Sequence, residues 1–268
     1  MRYFDSRART TRLLIAAIAG MLATSAQVYG QGRGRGGAPP NPRAAAPIDL
    51  TGYWVSVVTK DWRYRMITPP KGDYQSLPMT MASKRVADAW DPAKDAAAGE
   101  QCRSYGAAGI MRIPERLHIT WQDDNTLKID IDAGTQTRLF HFGDWKSPAG
   151  AATWQGDSVA QLDSQGPPGG PPGRGGAGGA GPRSASLMVT TTHMRAGYLR
   201  KNGVPYSENA ILTEDYDIVR ERNGDLWLIV TSEVQDPLYL REPFILSTQF
   251  KKQADGSGWD PTPCSATW

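Results

Sequence analysis

The chain has little of what most metal, nucleotide and nucleophile chemistries require. It holds only two cysteines and three histidines among 268 residues. Two cysteines cannot make a disulfide-dense scaffold, and scattered histidines make a poor first set of ligands for zinc. No Gly-x-Ser-x-Gly elbow occurs, which excludes an α/β-hydrolase, and no His-Glu-x-x-His occurs either. A single long apolar run rules out a polytopic membrane protein. Asp130-x-Asp132-x-Gly134 is a fragment of a calcium loop without the remaining ligands and reads as a hairpin end. Glycines in the tract around residues 165–183 match a phosphate-loop spacing only by density, with no strand before and no helix after.

The apolar run lies near the start. Arg2, Arg7, Arg9 and Arg12 precede an apolar core from Leu13 to about Ala23, and small residues follow to Ala26. This is the layout of a secretory signal peptide over residues 1–26, too short to span a bilayer. It has no Arg-Arg pair, which points to the general export route, and no cysteine follows that would carry a lipid anchor. The expected location is periplasmic or secreted, with no stable membrane insertion once the signal is removed.

Export changes the charge balance. The whole chain carries 30 Lys+Arg against 27 Asp+Glu, with a pI near 8.8. Without residues 1–26 the charges stand at 26 of each sign. A Gly/Pro/Ala leader over residues 27–47 contains Arg33, Arg35 and Arg43, and the insert 165–183 contains Arg174 and Arg183. Without these the remainder has 21 positive and 26 negative charges, which excludes a basic nucleic-acid binder. Both tracts have the composition of disordered segments. Residues 48–268 are left as a single folding domain.

In that domain the hydrophobic period is two. Leu117, Ile119 and Trp121 alternate with polar residues, Asp123-Asp124-Asn125 makes a turn, and Leu127, Ile129 and Ile131 alternate again. Further strands are expected over residues 50–59, 135–142, 152–155 with 158–162, 186–194, 208–220, 226–234 and 244–251. Asn223-Gly224 marks a hairpin between two of them. One helix is expected over residues 82–90, stopping at Asp91-Pro92. About nine strands with mostly short turns predict an all-β fold, a closed antiparallel barrel that leaves no sheet edge open. Cys102 and Cys264 read as a disulfide in an oxidising compartment; a thiol pair for a metal is the other possibility.

Two resemblances accompany this reading. Gly52-x-Trp54 at the first strand is similar to the opening signature of lipocalins. Thr213-Glu214-Asp215-Tyr216 resembles their Thr-Asp-Tyr motif with one residue added. The likeness implies a calycin-type barrel with Trp54 as a plug at its base. The order Asp49-Leu50-Thr51-Gly52-x-Trp54, Cys102 with Gly106, Thr137-Arg138-Leu139, Trp154-Gln155-Gly156-Asp157-Ser158 and Asp236-Pro237 with Pro243-Phe244 resembles a large family of exported bacterial proteins. That resemblance implies export and a β-rich fold and no particular reaction.

The densest polar stretch runs from Thr190 to Asp217. Leu187, Val189, Thr191 and His193 share one strand face, which would bring His193 to the mouth of a barrel. Residues 195–208 would form a loop over that mouth. His193 with Glu208, Tyr206 or Asp215 could do general acid–base work, with Arg195 stabilising developing negative charge. A satisfied polar histidine is the plainer reading. If the first strand continues, Arg63 and Arg65 share one face while Trp62 faces the other way, giving an anion clamp beside a stacking surface. Tyr198 and Tyr216 would complete the substrate contacts. His118 reads as a solvated strand residue.

The expected function is therefore an exported enzyme, a lyase or hydrolase without metal or nucleotide cofactor, acting on a small apolar or aromatic substrate inside a barrel. A non-catalytic carrier of a small hydrophobic ligand is the alternative. An extracytoplasmic interaction module, using the Gly/Pro tracts, is another.

Overall fold

A computed structural model describes residues 41–164 and 185–267. The expected signal peptide, leader residues 27–40 and the insert 165–183 lie outside the described residues. Leader residues 41–47 do not read as unstructured: Pro42–Ala45 forms a helical turn, α1, capped by the Asn41 side chain on the amide of Ala44 at 2.8 Å.

The strands are β1 (Gly52–Val57), β2 (Arg116–Trp121), β3 (Thr126–Ile131), β4 (Gln136–Phe142), β5 (Asp157–Ser164), β6 (Ala185–Thr192), β7 (Gly197–Arg200), β8 (Val204–Tyr206), β9 (Ile211–Arg220), β10 (Leu226–Gln235) and β11 (Phe244–Lys252). Nine of them close a barrel in the order β1-β11-β10-β9-β6-β5-β4-β3-β2, while β7 and β8 form a separate hairpin. The fold is thus the expected closed β-barrel, with one departure. β4 and β5 run parallel, pairing Phe140 with Ser158 and Phe142 with Ala160. Residues 143–156 link them, and a link of that length returns the chain to its starting end instead of turning it back as a hairpin. Residues 152–155, expected as strand, belong to this link. Asn223-Gly224 does lie in the β9–β10 turn, where Gly224 has φ +92°.

Inward positions follow the period of two. Leu117 and Ile119, Ile129 and Ile131, Phe140, Leu187 and Val189, Tyr216, Leu228 and Val230, and Phe250 are at most 1 % exposed and form one core. Trp54 sits among them at 0 % exposure. Its indole N–H donates to the carbonyl of Leu50 at 2.8 Å, and the Lys252 ammonium lies 4.5 Å from its ring. The Gly52-x-Trp54 signature therefore marks a packed plug.

A second core covers the other end. Met194, Leu212, Val234 and Phe244, at the ends of their barrel strands, pack with Met79, Ala87 and Leu240 and with Leu199, Val204 and Tyr206 of the β7–β8 hairpin. The predicted loop over the mouth is thus a hairpin that seals it. Its turn depends on Gly203, at φ +80°, where a Cβ would come within 2.3 Å of the Trp90 side chain.

Several short helices accompany the barrel, where one was expected. They are α2 (Trp62–Arg65), α3 (Met81–Asp88), α4 (Pro92–Ala97), a 3-10 turn (Gln101–Tyr105) and α5 (Ala107–Ile110). α3 matches the expected helix and is capped by Thr80. Asp91-Pro92 ends it but also begins α4: Asp91 accepts from the amides of Ala93 and Lys94, with proline in the first turn, where its missing N–H costs nothing. α2 replaces the expected continuation of β1. Asp61 turns the chain at φ +57°, so the alternation of Arg63 and Arg65 against Trp62 does not apply. Trp62 is 64 % exposed and Arg65 is buried.

Cys102 and Cys264 form a disulfide, 162 positions apart. It fastens the C-terminal segment to the 3-10 turn, next to the hydrogen bond from the Ser265 amide to Tyr105 Oη at 3.2 Å. No helix among the described residues is long and apolar enough to cross a membrane.

Candidate functional site

His193 stands just past the end of β6 in a left-handed conformation, φ +55°. That twist takes its side chain off the inward row of Leu187, Val189 and Thr191. The ring is about one-third exposed, and its Nδ1 lies 2.8 Å from Asp157 Oδ2. Asp157 also accepts from Ser147 Oγ. Serine and histidine thus meet the carboxylate separately, which is not the serine–histidine–carboxylate relay of a hydrolase. The Trp154-Gln155-Gly156-Asp157 segment builds this corner. Gly156 has φ +60°, and a Cβ there would stand 2.4 Å from the carbonyl of Thr192. Arg195 stacks 4.3 Å from the Trp154 ring and pairs with Glu100.

The other expected acid–base partners are held elsewhere. Glu208 is exposed between β8 and β9. Asp215 is half-buried on the outer face of β9, because its neighbours Glu214 and Tyr216 point inward. Tyr206 is fully buried, with Gly106 and Gly197 leaving the space its hydroxyl needs. Burial pushes its phenol pKa up, partly offset by the fields of Arg103 and Arg138. The structure brings His193 to Asp157 instead, a residue 36 positions away with no pattern in the sequence to mark it as a partner.

The barrel interior is packed with buried side chains among the described residues. Within it, Arg138 of β4 and Glu214 of β9 form a two-pronged ion pair, Nη1–Oε1 2.9 Å and Nη2–Oε2 2.6 Å, with both side chains at 0 % exposure. Tyr216 Oη and Thr191 Oγ1 each lie 3.3 Å from the guanidinium, and Thr191 meets Ser158 at 2.7 Å. Burial works against the Arg138 cation, but the Glu214 carboxylate more than offsets it and raises the guanidinium pKa. Tyr216, expected to touch substrate, is a strut in this network, its pKa pushed well up by burial and by Glu214.

Glu115, at the entry to β2, is a further buried charged residue. Burial, reinforced by Asp132, pushes its pKa well above the ordinary range despite Arg65 and Arg138. In the unfolded chain it ionises near 4.5, while the folded protein keeps its proton to higher pH. The folded state therefore binds more protons across that window, and this group's contribution is full below the ordinary value and lost as pH rises. Glu115→Gln should flatten the dependence: the stability of the variant relative to the parent should increase from pH 4 to pH 8 in urea titrations. A constant difference would contradict the assignment.

An open groove lies on the helical flank. It encloses about 530 Å³ between α3, α4 and β7, within the range of small-molecule sites. Val86, Ala89, Trp90, Tyr198, Leu238 and Tyr239 line its apolar part. Its polar wall is fixed: Asp95 accepts from Tyr198 Oη at 2.8 Å and from Arg103 at 3.0 Å, and Arg103 stacks 4.5 Å over the Tyr198 ring. Arg85 and Lys94 stand exposed at the rim. Tyr198, expected as a substrate contact, stands mostly buried in the wall of this groove. Of the anion clamp, Arg63 pairs with Asp73 at 2.5 Å and Arg65 is bound to the carbonyl of Arg112 at 2.7 Å. His118 faces outward as expected and is covered by Tyr53, stacked at 4.1 Å.

Fold and sites together define a closed, filled β-barrel with a helical flank and a disulfide-tied C-terminal segment. Comparison with family models, with curated proteins and with solved structures finds no match to the chain in any of the three.

Proposed function

We propose that this is an exported binding protein for a small aromatic molecule, held in the groove beside α3 and α4 and not inside the barrel. The observation that carries this reading is the contrast between the two spaces: inward residues of the barrel are almost wholly inaccessible, while the groove is open, with exposed Leu238 and half-buried Tyr239 over a floor of mostly buried Trp90 and Tyr198, beside a cationic rim. Aromatic side chains give a flat ligand a stacking surface, and Arg85 and Lys94 favour a ligand with an acidic group. The disulfide suits an oxidising compartment, which supports export.

Ala89 is exposed and lines the groove, so Ala89→Phe fills the space without touching the core. With a panel of phenolic and aromatic acids, equilibrium dialysis should find a ligand for the parent whose affinity falls at least about tenfold in the variant. Binding that is indifferent to the substitution, or no binding across the panel, contradicts the reading.

A second reading rests on the His193–Asp157 pair. A histidine oriented by a half-buried carboxylate, one-third exposed and on a backbone that disfavours non-glycine residues, suits an acid–base catalyst at the surface corner by Trp154. This is the enzyme expectation moved out of the barrel. Its signature is a mass change in the same incubations that disappears in His193→Ala; binding without turnover leaves the carrier.

A further inference from the structure

Four cations border one small cavity behind the groove side of the molecule. Arg65, Arg112, Arg200 and Lys201 are each at most 6 % exposed, and all four line a cavity of about 20 Å³ with Tyr64 and Ser104. They come from different segments: the end of α2, the residues after α5, and the end of β7 with its turn.

The donors are only partly used. Arg65 gives Nε to the carbonyl of Arg112 at 2.7 Å and Nη2 to Ser56 Oγ at 3.0 Å. Lys201 meets Tyr105 Oη at 2.7 Å and the carbonyl of Ser265 at 3.5 Å. Arg112 spends Nη1 on the carbonyl of Leu199 at 3.4 Å, but its buried Nη2 has no hydrogen-bond acceptor in the protein. Arg200 leaves both Nε and Nη1 buried without one, while its guanidinium lies 4.1 Å over the Tyr64 ring.

The carboxylates in reach do not neutralise this set. Asp61 forms a long ion pair with Arg112 Nη2 at 3.9 Å, beyond hydrogen-bonding distance, and its field also reaches Arg65 and Arg200, but its side chain is 40 % exposed and its single charge faces three guanidiniums. Asp73 is taken by Arg63. Glu115 acts on Arg65 through its field, yet neither of its oxygens accepts a hydrogen bond. Burial and the neighbouring Arg200 pull the Arg112 pKa down to about 9, the response of a cation short of compensation. A buried guanidinium with idle donors is costly unless an anion meets it.

We propose that Arg65, Arg112 and Arg200 hold a monovalent anion of chloride size in this cavity. A space of about 20 Å³ holds one water-sized sphere, since roughly 10–15 Å³ suffices for a water, which suits a monatomic anion. Water would fill the volume but supply no charge. A halide does both and ties α2, the segment after α5 and the β7–β8 turn together through one centre.

The test uses the folded protein in two measurements. Thermal unfolding is followed in sodium chloride and in sodium gluconate at equal ionic strength. Crystals grown in sodium bromide are examined for anomalous signal. The melting temperature should rise saturably with chloride, by about 5 °C or more at saturation, and stay flat in gluconate. Bromide should appear among the three guanidiniums, and Arg200→Met should lose the chloride response. Equal melting curves in the two salts would overturn the proposal. So would a bromide-free cavity, and a bromide peak with no chloride dependence would mark an adventitious ion only. Should Arg200→Met fail to fold, the bromide map and the salt comparison on the parent still decide.

Discussion

Glu214→Leu is expected to destabilise the protein by about 3–5 kcal/mol, because it strands the Arg138 guanidinium in a filled barrel. Both side chains are at 0 % exposure, and the two short contacts between them pair the charges, while Arg138 Nε has no hydrogen-bond acceptor in the protein. Removing one partner leaves a desolvated cation whose other neighbours, Tyr216 and Thr191, are neutral. Removing both should cost far less: Arg138→Met with Glu214→Leu puts apolar volume where ions were. Urea unfolding of the parent, the two single variants and the double variant forms a cycle with a large coupling term. If the single variants lose less than about 1 kcal/mol, the barrel interior admits water and is not filled as described.

The second large loss is expected from Cys102→Ser with Cys264→Ser. Closing a loop of 162 positions is worth up to about 5 kcal/mol in the chain-entropy account, and removal of native disulfides typically costs about 2–5 kcal/mol. The bond also keeps a segment in place. Thr262 donates to the carbonyl of Asp132 at 3.0 Å and accepts from Thr135 Oγ1 at 3.0 Å, and Ser265 reaches Tyr105. Without the bond these contacts must hold the C-terminal segment unaided. The measurement is thermal unfolding of parent and double-serine variant, with reductant applied to the parent as a cross-check. An unchanged melting temperature would show that the segment docks independently of the bond.

Much of this architecture is legible as alternation. Leu117 with Ile119, and Ile129 with Ile131, announce their strands and their inward face. The same phase also announces the interior ion pair. Arg138 shares its row with Phe140 and Phe142, and Glu214 shares its row with Leu212 and Tyr216. Two opposite charges on inward rows of separate strands are a signal that pairing inside the barrel can satisfy. The density of ionisable groups around residue 200 is a weaker signal, because density does not tell inward from outward. His193 escaped for a backbone reason, since a left-handed residue at a strand end breaks the alternation that placed it inside. The groove was not legible at all. α4 hides in a proline that reads as a stop, and the meeting of Trp90 with Gly203 and of Asp95 with Tyr198 is set by tertiary packing over about a hundred positions.

The β5–β6 ladder carries a practical consequence. Ser164 and Ala185 are register partners, so the barrel wall arrives at residue 164 and departs from residue 185 side by side. Whatever chain joins these two points, the wall on either side is already complete. A connector of a few residues can therefore replace residues 165–184, and the entropy of closing it changes only by about 1 kcal/mol. The same junction can receive a fluorescent tag, an affinity handle or a second domain, with the barrel serving as a rigid socket.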